Sequence, residues 1–275
     1  MINLFKSEWT RLYSKKSTWI CFISIPIMLI VFTNHYLKVN TTLKVSNPQF
    51  VQSYKFPIEV FQSYSMVIFD IISIMLIVLC VTDEFRSGAI RMVLIRPVKK
   101  INLFYAKFLV IIITLTVILT AYFLLAYIIG FIAFKGTSNI SLNYFKHSLT
   151  RNEVVMYSLK VYLLELLSLI AICSLIFFVS TISKTMTIAF GANLGIIVIG
   201  FIFSPMLGLL THKNNGNLIK LQWLISIPKM QMDGIEAILG ETSHLFFYGM
   251  GVLLSYGILF FLINYFIYKK SDILI

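Results

Sequence analysis

Charged side chains are scarce in this sequence. Of its 275 residues, only 12% are Asp, Glu, Lys or Arg, whereas 59% are hydrophobic and 15% are aromatic. Soluble domains average about 25% charged and about 45–50% apolar residues. This composition, with a mean hydropathy of +0.89, excludes the soluble class and predicts an integral membrane protein.

Acidic residues are scarcer still, at 11 against 23 Lys and Arg, which gives a formal net charge of +12. In a soluble chain such an excess of basic residues indicates nucleic-acid binding. In a membrane chain it is typical of basic loops that face anionic lipid headgroups. We therefore expect membrane lipid, and no nucleic acid, as a partner.

Residues that catalyse reactions or bind metals are few and scattered. The three cysteines lie inside apolar runs without CxxC spacing, which argues against a disulfide framework or a zinc site. The four histidines fall in or beside predicted external segments and never show HExxH spacing. No nucleophile lies beside a base at a recognisable spacing, so we expect no enzyme activity, metal site or cofactor in this chain.

The sequence does contain six apolar runs, each about as long as the roughly 20 residues that cross a bilayer core as a helix. Backbone polar groups in lipid must be satisfied within each segment, so these runs predict six transmembrane helices in one all-α domain, 1–275. The predicted spans are residues 18–37, 60–81, 108–134, 161–182, 185–210 and 245–268.

An even number of spans places both termini on the same side of the membrane. Lys and Arg are roughly twice as dense on that side, and Arg151 alone of the arginines lies opposite, which predicts cytoplasmic termini. The first run is too long for a signal peptide and lacks a small-residue cleavage site, so we expect it to be retained. Abundant Ile, Lys and Asn are typical of an AT-rich bacterial source, so we expect a multi-pass protein of the bacterial plasma membrane.

Residues 1–17 predict an elbow helix that lies on the membrane surface before the first span. Apolar residues recur at spacings of three and four, and polar residues fill the opposite face. The apolar set is Ile2, Phe5, Trp9 and Leu12. An ordinary basic flank to the first span is the alternative.

Two carboxylates interrupt the apolar runs. Asp70 lies near the centre of the second predicted span, where a charge without a partner costs about 2.5–3.5 kcal/mol on insertion scales. We expect it to face protein or water, either in a translocation path or subunit interface, or in a hydrogen bond to Ser73 or a neighbouring helix. Glu165 lies near the outer end of the fourth span, where we expect it to reach headgroups or water.

The fifth span contains Gly191 and Gly195 at a spacing typical of close helix contact, and Asn193 between them can hydrogen-bond across such a contact. Packing within the chain is one interpretation, and a dimer or pathway face is the other. Residues 211–245, which follow, are too long and too apolar for a simple loop.

The most highly charged stretch, 82–107, joins the second and third spans. Thr82 can cap a helix whose first turn carries Asp83 and Glu84, and Pro97 ends it. Its apolar positions at helical spacing are Phe85, Ala89, Met92 and Val93. We predict a short amphipathic cytosolic helix, the alternative being a solvated charge cluster that follows the positive-inside rule.

This stretch resembles the cytosolic connection between the second and third spans in permease subunits of type-2 ATP-binding-cassette (ABC) exporters. That family has an acidic residue, a Gly with a small neighbour, a basic residue, an apolar pair, a Pro followed by a basic residue, and a Lys opening the next span. The matching residues are Glu84, Ser87, Gly88, Arg91, Val93, Leu94, Pro97, Lys99, Lys100 and Lys107. Ala89 and Val98 stand where the family usually has Ser or Thr.

The resemblance extends over the whole layout of elbow helix, six spans and a long last external connection. It implies a coupling helix that docks on a separate ATPase subunit and passes ATP-driven motion to the permease. The ATPase-coupling residues it implies are Asp83, Glu84, Phe85, Gly88, Arg91 and Pro97. It also implies re-entrant helices between the last two spans and outward movement of an amphiphilic cargo, such as an antimicrobial peptide, an antibiotic or a lipid-linked molecule.

The chain contains no GxxxxGK[ST] phosphate loop. ATP and magnesium are therefore expected in the partner ATPase, present in two copies, and a second permease copy or a paralogue is expected to complete the complex. The alternative is an ion-coupled secondary transporter or channel that uses Asp70. That alternative predicts broken helices in an inverted repeat, a pattern that the sequence does not have.

Overall fold

The computed structural model describes residues 2–44, 47, 49–62, 65–82, 100–136, 140–142, 145, 147–210, 216–241 and 245–270. All regular secondary structure among them is helical, apart from an isolated β-bridge between Ile140 and Leu149. The fold is therefore all-α, as the sequence predicts.

The described residues form a series of α-helices and one π-helix. In chain order the helices are α1 (Ile2–Tyr13), α2 (Lys16–Thr42), α3 (Phe56–Gln62), α4 (Ser65–Cys80), α5 (Lys100–Ala133), α6 (Arg151–Ile182), α7 (Met186–Leu210), α8 (Gly216–Ile225), α9 (Ile227–Lys229), the π-helix (Met230–Gly234), α10 (Ile235–Leu239) and α11 (Phe246–Lys270).

Helices α2, α5, α6, α7 and α11 are long and apolar enough to cross a membrane. A chain with several such helices is a multi-pass membrane protein. The predicted span 60–81 falls on the end of α3 and on α4, which has 16 residues. At 1.5 Å per residue α4 is about 24 Å long, less than the roughly 30 Å of a hydrocarbon core.

Helix α6 begins at Arg151, whereas the sequence predicts the fourth span from residue 161. The carboxylate of Glu153 accepts hydrogen bonds from the backbone nitrogen of Thr150 (2.8 Å) and from its hydroxyl group (2.9 Å). A carboxylate at the third helical position stabilises the first turn in this way. Residues 151–160, expected to lie in an external connection, therefore belong to the same helix as the span.

Helix α6 lies at the centre of the helix packing. Of its most apolar stretch 61% is buried, against 17% for α7 and α11. It packs against α4, α7 and α11, and α4 is buried along most of its length. The outer helices expose large apolar side chains, among them Ile27, Leu124, Ile199 and Phe266, and these form the lipid-facing surface.

In the connection before α4, several described residues pack into the core. Val51, Phe56 and Ile58 are buried. Lys55 is also buried, and its ammonium group lies 2.7 Å from the Glu59 carboxylate. Because Lys55 pairs with a carboxylate one turn further along the chain, the free-energy cost of burying its charge is lower.

Short helices α8 to α10 join α7 to α11, and hydrogen bonds attach them to both. The Ser226 hydroxyl group donates to the backbone oxygen of Gly200 (2.9 Å). The Tyr248 hydroxyl group, on α11, donates to the backbone oxygen of Lys220 (2.8 Å). Residues 216–241, hereafter the outer segment, are therefore folded onto the long helices.

Candidate functional site

The predicted coupling residues lie between Thr82 and Lys100, in a segment outside the described residues. They are Asp83, Glu84, Phe85, Gly88, Arg91 and Pro97. The helices that enter and leave this segment are described, and buried polar side chains join them. We call Glu8, Lys15, Thr82 and Lys107 the junction.

Lys107 and Glu8 form a buried ion pair at the junction. The Lys107 side chain is completely buried and Glu8 is 2% exposed. The ammonium group of Lys107 donates to Oε2 of Glu8 (3.0 Å) and to the backbone oxygen of Cys80 (2.9 Å). Arg11 donates to both carboxylate oxygens of Glu8, at 2.9 and 2.7 Å. One carboxylate therefore neutralises a buried lysine and also binds an arginine.

The last turn of α4 is fixed from three sides. Lys15 donates to the backbone oxygen of Leu79 (2.6 Å), next to the carbonyl of Cys80 that Lys107 binds. The last carbonyl groups of a helix have no partner within it and carry negative partial charge, so both cations stabilise this end. The Thr82 hydroxyl group donates to the backbone oxygen of Ser180 on α6 (2.9 Å). The connection between α1 and α2, helix α5 and helix α6 thus hold the end of α4 and Thr82, which precede the segment 83–99.

Glu8 is a residue that the sequence interpretation missed. It follows Phe5 by three residues and precedes Leu12 by four, so it lies on the buried face of α1. An acidic residue within an apolar stripe requires a partner, and Lys107 in an apolar run requires one too. That shared requirement is the signal in the sequence.

A second buried polar group lies within the helix packing. It consists of Asp70 on α4, Glu165 and Ser168 on α6, and Gln231 in the π-helix, and we call it the carboxyl cluster. Asp70, Glu165 and Ser168 have no exposed surface and Gln231 is 1% exposed. Nε2 of Gln231 donates to Oδ1 of Asp70 (3.4 Å) and to Oγ of Ser168 (3.2 Å).

These contacts show the surroundings of each buried carboxylate. The Asp70 partner is Gln231, whereas Ser73 donates to the backbone oxygen of Phe69 (2.8 Å). The expectation that Glu165 reaches headgroups or water is wrong. Because α6 starts at Arg151, Glu165 lies in the middle of the helix and is fully buried.

Gln231 enters the cluster from a π-helix, Met230–Gly234. Such turns are rare and are frequently found at functional sites. The wider turn directs Gln231 between α4 and α6, so the outer segment contributes directly to the buried cluster.

Asn193 and the two glycines singled out on α7 lie in different surroundings. Asn193 is buried, and its Nδ2 donates to Oγ of Ser180 (3.1 Å) and to the backbone oxygen of Ala189 (2.8 Å). A methyl group added at Gly191 or Gly195 would meet no described atom within 4 Å. Packing within the chain therefore explains Asn193, and the two glycines lie on an open face.

A cavity of about 440 Å³ opens between α6, α10 and α11. Its apolar lining includes Leu164, Ile238, Phe246 and Met250, and Lys160 also lines it.

Residues 18–274 match the family described as protein of unknown function DUF2705. The chain belongs to this family. This DUF2705 chain is 20% identical to the uncharacterized protein YhcI of Bacillus subtilis (strain 168) over 324 aligned residues, which cover 99% of each chain. The alignment therefore covers nearly the whole of this chain.

Proposed function

We propose that this chain is the permease subunit of a type-2 ABC exporter, moving an amphiphilic cargo outward with energy from a separate ATPase. The observation that carries the proposal is the junction. A segment with the family's coupling pattern begins and ends at helices that are joined by buried polar contacts. The Lys107 to Glu8 contact, at 3.0 Å, joins the helix that follows the segment to α1.

Such an arrangement suits the transmission of force. A push on residues 83–99 reaches α4 through Thr82 and α5 through Lys100, and the junction connects both helices to α1 and α6. Lys107 contacts α4 through the carbonyl of Cys80 (2.9 Å), and Thr82 contacts α6 through the carbonyl of Ser180 (2.9 Å). Because these contacts are buried, the helix ends move together when the segment moves.

In this proposal α4, extended by the residues beside it, makes the sixth crossing of the bacterial plasma membrane. Helix α1 lies on the cytoplasmic surface as the elbow helix, and both termini are cytoplasmic. The exposed residues Lys6, Ser7 and Thr10 of α1 face water and headgroups, in keeping with an interfacial helix. The outer segment then lies in the outer leaflet as re-entrant helices.

The proposed complex contains two ATPase copies, which bind ATP and magnesium, and a second permease copy or a paralogue. The open face of α7 at Gly191 and Gly195 supports a helix contact between permeases, since small residues let two helices approach closely.

The cavity beside α10 supports an amphiphilic cargo. Leu163, Leu239 and Phe246 give it an apolar lining, and Lys160 adds a positive charge. Apolar surface with a single charge suits a molecule with an apolar body and an anionic head.

The experiment is purification of the full chain from its bacterial host in nanodiscs, followed by measurement of magnesium-dependent, vanadate-sensitive ATP hydrolysis. Since this chain has no phosphate loop, the activity reports a bound ATPase. We expect hydrolysis with the wild type and its loss when Glu84→Lys and Arg91→Glu are combined. Lys184→Glu, a charge reversal in the other predicted cytosolic connection, is the matched control and keeps the activity. Retained hydrolysis in the double variant would refute the docking role of this segment.

The second candidate is an ion-coupled transporter that uses Asp70, and the burial of Asp70 in the carboxyl cluster favours it. Purified chain in sealed vesicles separates the two functions. Uptake of a fluorescent amphiphile that follows an imposed ion gradient, without ATPase or ATP, supports the ion-coupled transporter and contradicts the exporter permease.

A further inference from the structure

The carboxyl cluster contains more hydrogen-bond acceptors than donors. Oδ2 of Asp70, Oε1 of Glu165 and Oε1 of Gln231 are buried with no hydrogen-bond partner among the described residues. Buried polar atoms are nearly always hydrogen-bonded, and each exception requires an explanation. Three such oxygens in one enclosed cluster point to a bound species that supplies positive charge or donors.

The donors within the cluster are already used. The two amide hydrogens of Gln231 go to Oδ1 of Asp70 (3.4 Å) and Oγ of Ser168 (3.2 Å). The single hydroxyl hydrogen of Ser168 goes to the Glu165 residue itself, whose backbone oxygen is 2.8 Å away and whose Oε2 is 3.3 Å away. An ionised carboxylate donates nothing, so the cluster cannot satisfy its own oxygens.

The ionisable neighbours of the cluster are acidic or neutral. Asp70 and Glu236 interact electrostatically with Glu165, and Asp70 also interacts electrostatically with Cys173. Glu236, in the outer segment, is half-buried. Two ionised carboxylates here would repel each other in an apolar interior.

Three basic residues on or beside helices that surround the cluster, Lys55, Lys107 and Lys160, are paired elsewhere or exposed. Lys55, directly before α3, pairs with Glu59 at 2.7 Å, and Lys107 on α5 pairs with Glu8 at 3.0 Å. Lys160 lines the cavity and is exposed. Helix α7 carries no charged residue between Met186 and Leu210.

We propose that the carboxyl cluster is a proton-binding site in which Asp70 and Glu165 each hold one proton. A proton on Oδ2 of Asp70 and another on Oε1 of Glu165 remove both charges. Each proton also converts an acceptor without a donor into a donor. Oε1 of Gln231 is on the same amide group as the nitrogen that contacts Asp70. It can therefore accept a hydrogen bond from one of these hydroxyl groups.

Protons fit the cluster better than a metal ion. Within the described part of the chain, no group of three or more His, Cys, Asp or Glu side chains is placed to hold one. Two protons balance the two carboxylates without further ligands, whereas Mg²⁺ and Ca²⁺ take six or more oxygen ligands.

Proton exchange at this site requires water to enter between α4, α6 and the π-helix, because the side chains are enclosed. The π-helix belongs to the outer segment, so occupancy of the site depends on whether that segment is closed over the cluster. This inference holds whether an ATPase or an ion gradient drives the protein, since it concerns only the resting protonation of described residues.

The test is infrared spectroscopy of the full chain in vesicles, titrated from neutral to alkaline pH. A protonated carboxyl group has a carbonyl stretch well separated from the carboxylate bands. We expect that stretch at neutral pH, shifted by deuterium exchange, reduced in Asp70→Asn and in Glu165→Gln, and lost at alkaline pH. The matched control Glu153→Gln, in an exposed carboxyl at the start of α6, leaves it unchanged.

Carbon-13 labelling of aspartate and, separately, of glutamate in the wild type assigns the stretch without any substitution, so misfolding of a variant leaves the test intact. Absence of the stretch at neutral pH in the wild type overturns the proposal. Its loss at fixed neutral pH when sodium chloride replaces choline chloride also overturns it, because the site then binds a metal cation. ATP hydrolysis by a partner does not enter this measurement, so its outcome is separate from that of the docking test.

Discussion

Replacing one residue of the buried ion pair in the junction is expected to destabilise the protein more than replacing the other. Glu8→Ala removes the carboxylate that neutralises Lys107, which is completely buried. Breaking a buried pair by deleting one partner costs about 3–5 kcal/mol, because a charge is left uncompensated. Lys107→Met leaves Glu8 bound to Arg11 at 2.7 Å and mainly deprives the Cys80 carbonyl of a donor, a loss of about 1–3 kcal/mol.

The assay is the free energy of unfolding in mixed micelles, measured by titration with sodium dodecyl sulfate and followed by far-ultraviolet circular dichroism. The double variant Glu8→Leu with Lys107→Met removes both charges, so we expect it to be more stable than Glu8→Ala alone. Lys6→Ala, on the exposed face of α1, is the control and leaves stability unchanged. The reasoning fails if Lys107→Met destabilises as much as Glu8→Ala, or if the double variant is the least stable.

Two further predictions concern packing and are checked by the same titration. A Cβ at Gly130 would lie 2.7 Å from the backbone oxygen of Ser53, whereas one at Gly251 would meet no described atom within 4 Å. We therefore expect Gly130→Ala to be less stable than Gly251→Ala by about 1–3 kcal/mol. Equal stability of the two variants contradicts this contact. We expect Asn193→Ala to lower the free energy of unfolding by at most about 1 kcal/mol, because it removes one interhelical hydrogen bond. It also removes an Oδ1 atom that is buried without a partner in the described part of the chain. A loss above about 2 kcal/mol contradicts this expectation.

Much of the helix layout follows from apolar runs alone, because length and hydropathy identify a helix in lipid. Helix ends do not follow from hydropathy. The start of α6 at Arg151 is set by the Thr150 and Glu153 pair, a T-x-x-E pattern that is present in the sequence. A hydropathy boundary at residue 161 overlooks that pattern and so misplaces Glu165 near a helix end.

The composition of the two buried polar groups is predictable only in part. Lone charges at Glu8, Asp70, Glu165 and Lys107 mark positions that need partners. Which partners they find depends on helix register. Gln231 is far from Asp70 in sequence and reaches it because of a π-helix, and local sequence does not encode that geometry. The six ATPase-coupling residues stay a prediction, since they lie outside the described residues.

The pairing of Lys107 with Glu8 also bears on how the chain enters the membrane during synthesis. Helix α1 is synthesised well before α5, so in the proposed topology we expect its carboxylate to be at the interface when a span with a buried ammonium group arrives. Pairing with Glu8, which is synthesised earlier, then lowers the free-energy cost of inserting Lys107. Without α1, we expect the insertion of α5 to be less favourable. We therefore expect the first thirteen residues to assist the insertion of a helix whose buried lysine lies 99 positions after Glu8.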